Sequence, residues 1–179
     1  MALASPPDAF VPTPGAPRTV AEALGQITWI FSQSAAHREL PIKALEWSVM
    51  PAITLEQFRI FTFGPLPGLE DVHPEQIMPG LTREALERMP LGVALWGRLS
   101  ASAEAKVEAG ERLDAADWNS GDRLWLLELI APYADADNKL AEAMLLDLVG
   151  GPFAGKSFAL HRSDPATGER SKVTVPGNV

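Results

Sequence analysis

The sequence has no cysteine. Disulfides, thiolate metal sites, a cysteine nucleophile and any thioester formed on the protein itself are therefore excluded. Positive charge is in short supply: 15 Lys and Arg stand against 23 Asp and Glu, for a net charge of −8. That balance argues against a general nucleic-acid binder or a protein that spreads on anionic lipid, while leaving room for a local basic patch. No apolar run approaches the ~20 residues that span a bilayer as a helix, so no integral membrane association is expected. His37, His73 and His161 are the three histidines, scattered without metal-ligand spacing, so no metal is expected. The N-terminal stretch MALASPPDAFVPTPGAP lacks the basic start and apolar core of a secretory signal, and a cytoplasmic location is the expectation.

What is present suits one domain. The chain has 179 residues, 46 % of them hydrophobic, with five Trp and seven Phe to fill a core. Residues 1–17 are rich in Pro and small side chains and read as a flexible tail. Thr19 then opens a T-V-A-E capping-box pattern, and Val20, Leu24, Ile27 and Phe31 follow at helical spacing. The helix is expected to end near Ser32–Ser34. Pro41 is placed to open a second helix over Ile42–Met50, with Pro51 as its stop. His37 falls in the connection between the two, where a side chain can be aimed into a cleft or simply sit at the surface. Gln57–Phe63 and Gly92–Leu99 read as two strands of a hairpin whose connection, residues 64–90, is expanded by an insertion. That insertion holds a short helix near Thr82–Arg88 and a solvated His73.

A helix over Ser102–Ala109 leads to the stretch around which the chain is organised, DWNSGDRLWLLELIAP from Asp117 to Pro132. It combines a turn signal at 119–122, a strand over Leu124–Ile130 and a proline stop. Strict alternation sets Trp125, Leu127 and Leu129 on one face and Leu126, Glu128 and Ile130 on the other. Both faces are apolar apart from Glu128, which predicts a central strand carrying one buried carboxylate. Burying that group without a partner costs several kcal/mol or drives it toward neutrality, so it is either part of a site or paired in the core. An amphipathic helix over Lys139–Val149 follows. Gly150–Ser157 (GGPFAGKS) matches the pattern of a phosphate-binding loop, but a helix precedes it and a strand follows it, the reverse of what such a loop requires. It reads as a helix stop and a turn, with strands to follow at 158–164 and near Lys172–Val175. The order of elements predicts an α+β or α/β layered domain in which helices cover a mixed sheet.

Two separated stretches, Leu24–Ile53 and Asp117–Asp135, resemble the RTX toxin-activating lysine acyltransferases, the haemolysin-activating proteins. The resemblance covers most of residues 20–165. It rests on Ser34-x-x-His37, the following Pro41, the PAI of Pro51–Ile53, the SGDR of Ser120–Arg123 and the AP of Ala131–Pro132. It implies a GNAT-like acyltransferase fold, no bound cofactor, and transfer of a fatty acyl chain from acyl carrier protein to internal lysines of an RTX-type acceptor. A homodimer is also implied. The family's essential histidine falls on His37, its essential acid on Glu128, where relatives usually carry Asp, and a supporting serine on Ser34. Arg38, Ser120, Asp122 and Arg123 become candidates for substrate or donor contacts.

The chemistry suits these residues. A lysine amine with a pKa of about 10.4 is protonated at neutral pH, and an imidazole titrating at about 6.5 is a suitable base for it. A carboxylate can fix the imidazole tautomer, stabilise the imidazolium or hold the lysine. An acyl-histidine intermediate is a second route. The loop Ala131–Asn138 has no Gly and several acids, which makes a poor pyrophosphate cradle and suits a donor presented by a carrier protein. An acidic carrier then needs local cations, for which Arg38, Arg123, Lys139, Lys156 and Arg162 are candidates. Two other readings stand beside this one: a non-catalytic module that binds a carrier or an RTX partner, and an acyl-CoA-dependent N-acyltransferase.

Overall fold

Residues 17, 19–62, 73–77, 79–163 and 170–177 are described by the computed structural model. Nearly all of the expected N-terminal tail, Phe63 at the end of the first expected strand, and residues 64–72 and 78 of the expected insertion lie outside them.

Helix α1 (Val20–Gln33) starts where its capping pattern predicts. Thr19 is extended and its hydroxyl accepts the Glu22 N–H at 3.1 Å, a cap that stabilises a helix by about 1 kcal/mol. Its stripe of Ala23, Ile27, Ile30 and Phe31 is buried. The single helix expected over Ile42–Met50 is instead broken. A 3₁₀ turn at Ile42–Ala44 runs into α2 (Leu45–Ser48), and Pro51 lies in the first turn of α3 (Met50–Thr54). Proline's missing N–H is not needed in a first turn, so Pro51 opens a helix here and does not stop one.

Strands β1 (Phe58–Thr62) and β2 (Pro90–Leu99) pair antiparallel, as the sequence predicts. Their connection holds α4 (Pro74–Ile77) and α5 (Arg83–Glu87), the latter capped by Thr82. Ser100 caps α6 (Ala101–Glu108), and a 3₁₀ turn at Ala115–Trp118 leads into β3 (Arg123–Ile130). Helix α7 (Leu140–Gly150) then crosses over to β4 (Phe158–Ser163), which pairs with β5 (Arg170–Val175). The sheet order is β1-β2-β3-β4-β5 with β3 in the middle; only the β3–β4 pair is parallel.

The sheet is covered on both faces. Against one face pack α1, α3, α6 and Trp118, around Ile27, Ile30, Val93, Leu95 and Trp125. Against the other pack α7 and the turn after it, around Trp96, Leu126, Leu148, Phe153 and Phe158. The turn at 151–155 is the stretch with the phosphate-loop pattern. Lys156 Nζ donates to the Pro152 carbonyl at 2.9 Å, and a helix precedes it as the sequence reading requires. This mixed α/β architecture is compatible with a GNAT-like acyltransferase fold.

Strict alternation fails in β3. Leu95 pairs with Glu128 while the next residue, Trp96, pairs with Leu126, so Leu127 is an extra residue in a β-bulge. Trp125, Leu127 and Ile130 pack toward α1, whereas Leu124, Leu126 and Leu129 pack toward α7. Gly97 gives Leu127 room, since a Cβ there would lie 3.3 Å from Leu127 Cδ1 and 3.1 Å from the Trp118 carbonyl oxygen.

A polar cluster ties α6 to the sheet. Glu104 accepts the Trp125 indole N–H at 3.0 Å and the Lys172 ammonium at 2.8 Å, and Arg123 Nε lies 2.9 Å from its other oxygen. Burial alone would raise the Glu104 pKa, but the Lys172 and Trp125 hydrogen bonds and the Lys172 and Arg123 charges outweigh it and hold it below the usual value. A carboxylate with a depressed folded pKa contributes stability that is fully present above the unfolded pKa and is lost as pH falls through the folded one. Glu104→Gln is therefore expected to lower the urea midpoint at pH 7, and the gap from wild type should close on acidification below the carboxylate range. An equal gap at both pH values would show that the carboxylate charge contributes nothing.

Candidate active site

The S-x-x-H spacing encodes a turn. Ser34 terminates α1, with its N–H donating to the Phe31 carbonyl. The Ser34 carbonyl then accepts the N–H groups of both His37 and Arg38 at 3.0 Å. Three residues of tight turn swing the His37 ring back over the helix end, where its centroid sits 4.8 Å from that of Phe31. In the same movement Ser34 Oγ comes to 2.8 Å from His37 Nδ1. The serine hydroxyl thus occupies one ring nitrogen and leaves Nε2 facing away from the turn.

Glu128 reaches that second nitrogen from the centre of the sheet. Its Oε2 lies 3.5 Å from His37 Nε2. The bulge makes this possible: continued alternation from Leu126 would have turned Glu128 toward α7, away from His37. The expectation of a buried carboxylate is corrected. The Glu128 side chain is 46 % exposed and that of His37 17 %. The reason is the strand beside it. Among the described residues β3 and β4 pair only at Trp125–Ala159 and Leu126–Leu160 and then part, so Glu128, though paired with Leu95 of β2, has no strand beside it on the β4 side.

Where the strands part, a cleft of about 320 Å³ opens. Its two sides differ in chemistry. Leu126, Leu129, Leu145 and Leu160 line it toward α7, and Glu128, His161, Ser163 and Arg170, with Leu127 as the one apolar residue, line it toward α1 and α6. His161 was invisible as a site residue in the sequence. Its only signal is strand position, since His161 and Ser163 alternate in phase with Ala159, which faces the same core as Trp125. Burial pushes the His161 pKa down, the Arg170 charge adds to this and Lys172 contributes less, against the opposing pull of Glu108 and Glu128.

The other candidates lie elsewhere. Arg123 opens β3, about 16 Å of strand from Glu128, and Ser120 stands in the turn before it. Ser120 Oγ accepts the Ser100 N–H at 2.9 Å and donates to the Asp117 carbonyl, and Arg123 pairs with Glu104. A Cβ on Gly121 would come within 2.5 Å of the Leu99 carbonyl oxygen, so this glycine permits a close backbone approach. The SGDR segment thus anchors the turn to the end of β2, with Asp122 exposed beside it. Arg38 is exposed next to His37, 3.7 Å from Glu39, and His73 is exposed ahead of α4. Among the described residues no group of three His, Asp or Glu is placed to hold a metal ion, and no helix is long and apolar enough to cross a membrane.

The sequence relationships agree with this geometry. The RTX toxin acyltransferase family model matches residues 16–67 and 77–176. The chain belongs to the RTX toxin acyltransferase family. The RTX-II toxin-activating lysine-acyltransferase ApxIIC of Actinobacillus pleuropneumoniae is 30 % identical over 114 residues, 63 % of this chain and 57 % of that one. The protein-lysine myristoyltransferase HlyC of Escherichia coli is 29 % identical over 147 residues, 82 % of this chain and 68 % of that one. The protein-lysine myristoyltransferase RtxC of Kingella kingae is 29 % identical over 114 residues, 63 % of this chain and 54 % of that one. The chain therefore spans only about half to two thirds of the length of these relatives.

In this member of the family, Ser34 Oγ is the hydrogen-bond partner of His37 Nδ1. Replacing Ser34 with Ala is expected to move the ¹⁵N resonances of the His37 ring toward the average of the two neutral tautomers, with the fold unchanged. Wild-type shifts in Ser34→Ala would show that the serine does not select a tautomer.

Proposed function

We propose that this protein is a protein-lysine fatty acyltransferase that moves an acyl chain from acyl carrier protein to lysine ε-amino groups of an RTX-type protein. The observation that carries the reading is the array Ser34 Oγ, His37 and Glu128, with contacts of 2.8 Å and 3.5 Å on the two ring nitrogens, of which Glu128 lines the cleft. When His37 Nδ1 donates to Ser34 Oγ, Nε2 is a free acceptor beside a carboxylate. A lysine ammonium entering there is held by Glu128 and loses its proton to Nε2. The amine nitrogen then bonds to the thioester carbonyl carbon and the C–S bond breaks. The proton first taken by His37 is lost to water, the ring then takes the second proton from the attacking nitrogen and delivers it to the leaving thiolate, which leaves an amide, a thiol and a neutral ring. Glu128 stabilises the imidazolium between the two steps.

The donor assignment is supported by the loop before α7. Asp135 accepts the N–H groups of Asp137 and Asn138, and Asn138 Oδ1 accepts those of Asp135 and Leu140. The loop's own side chains thus occupy backbone N–H groups that a pyrophosphate would otherwise claim. That favours a thioester whose carrier binds elsewhere on the surface over one gripped by its nucleotide. The relatives named as lysine myristoyltransferases and the leucines of the cleft support a fatty chain. Such a reaction, with carrier-protein substrate, is placed in the cytoplasm.

Intact-mass measurement of an RTX toxin protein incubated with myristoyl–acyl carrier protein tests the reading, and an adduct of one acyl chain per modified lysine is expected. His37→Ala is expected to lower the rate by about 10²–10⁴-fold, the range of general-base catalysis. Transfer at the wild-type rate in His37→Ala would remove His37 from the mechanism. Glu128→Gln, which keeps the shape and loses the charge, is expected to cost at least about tenfold. Glu128→Asp is expected to stay within about tenfold of wild type, since a shorter carboxylate still reaches a ring now 3.5 Å away after a small adjustment. Equal rates for the Gln variant and wild type would refute a role for the charge.

A further inference from the structure

We propose that His161 binds the acceptor lysine, completing with His37 and Glu128 a cage of three hydrogen-bond acceptors around one ammonium group. The inference rests on the reading that the acceptor is a lysine side chain. An ammonium carries three N–H donors and no acceptor, and a donor left unpaired away from water costs binding energy. His37 Nε2 and Glu128, 3.5 Å apart, supply two acceptors, and Glu128 lines the cleft. His161 lines the cleft with Glu128 but stands on β4, the strand that parts from β3. It therefore meets a group held by Glu128 from across the gap between the two strands, on the same face. Arg170, also in the cleft, has donors only and provides no third acceptor.

The ring is held in place by structure that contributes nothing else to the cleft. His161 meets Trp125 edge-on, with centroids 5.2 Å apart and planes at 74°. Trp125 is fully buried, and its indole N–H is tied to Glu104. Lys172 Nζ, bonded to Glu104 and Glu108, lies 5.5 Å from the Trp125 centroid. An imidazole supported through two such layers is preorganised and not left to choose its rotamer.

Its charge state suits the role. The groups acting on His161 are Arg170 and Lys172 from β5, Glu108 from α6 and Glu128 from β3. Burial is the largest influence and, with the Arg170 and Lys172 charges, holds the pKa below the ordinary histidine value against the pull of Glu108 and Glu128. The ring is thus a neutral acceptor at pH 7, where an imidazolium would repel the ammonium. The Arg170 guanidinium in the same cleft also favours the neutral amine that attack requires.

The test measures transfer from myristoyl–acyl carrier protein while the concentration of an RTX toxin protein is varied across pH. His161→Leu is expected to raise the acceptor KM about tenfold, the effect of one hydrogen bond to a charged group, with the donor KM unchanged. His161→Gln, which keeps an acceptor oxygen and fits a strand, should recover the acceptor KM to within about threefold. In wild type the acceptor KM should rise as pH falls through the depressed His161 pKa. That rise should vanish in His161→Gln and move to higher pH in Arg170→Met, where one of the cations that keep the ring neutral is gone. An unchanged acceptor KM in His161→Leu, or an equal rise in the donor KM, overturns the cage while leaving the transfer reaction standing. No transfer by the wild type overturns the lysine reading and the cage with it.

Discussion

The parting of β3 from β4 is the constraint on which the rest of the site depends. The two strands are the parallel pair of the sheet, and among the described residues they hold together only at Trp125–Ala159 and Leu126–Leu160. A parallel pair in the middle of a sheet is ordinarily covered on both faces and zipped along its length. Here the zip stops after two residues, just where Leu127 is inserted into β3. The edge of β3 beyond Leu126 then faces a cleft in place of a neighbour. The Glu128 side chain is solvated because that edge is open to water, which resolves the physical difficulty of a carboxylate inside an apolar run.

The bulge and the turn after α1 are two separate local devices that must agree to within a bond length. The turn sets the His37 ring by hydrogen bonds to the Ser34 carbonyl and hydroxyl and by contact with Phe31. The bulge sets the direction of Glu128. Both are carried on the same core: Phe31 and Ile27 from α1 pack with Leu95, Trp125 and Ile130 from the sheet. A rigid core thus transmits the position of one element to the other, and the 3.5 Å contact between His37 and Glu128 reports how well it does so. The Glu104 cluster extends this support to the far wall, since it fixes Trp125, against which His161 rests.

Much of this was legible in the residues. The start of α1 followed from Thr19 and its apolar stripe, and the central position of β3 from an apolar run on both faces. The turn nature of the GGPFAGKS stretch followed from what stands on either side of it. Glu128 stood out as the one carboxylate in an apolar run, Ser34 and His37 through a resemblance in separated motifs, and the fold brings all three together. Other details were not legible for identifiable reasons. Pro51 reads the same at the end of one helix and at the start of the next. Leu127 is an ordinary strand residue, and nothing in LWLLELI marks where an extra residue will be accommodated; Gly97, which makes room for it, lies on another strand. His161 belongs to a stretch with no chemical pattern of its own.

The sequence by itself determined the inventory and the local geometry. No thiol is available, one serine stands three residues before one histidine, and one carboxylate interrupts the central strand. Such facts are set by composition and by contacts between near neighbours, which follow from short-range spacing. Tertiary structure alone decided which way Glu128 faces, that it is open to water, and that His161 shares its cleft. Those outcomes depend on the register between strands and on where a neighbouring strand stops pairing. Register is a property of two segments packed against a common core, so it is fixed by long-range contacts that no single stretch of the chain encodes.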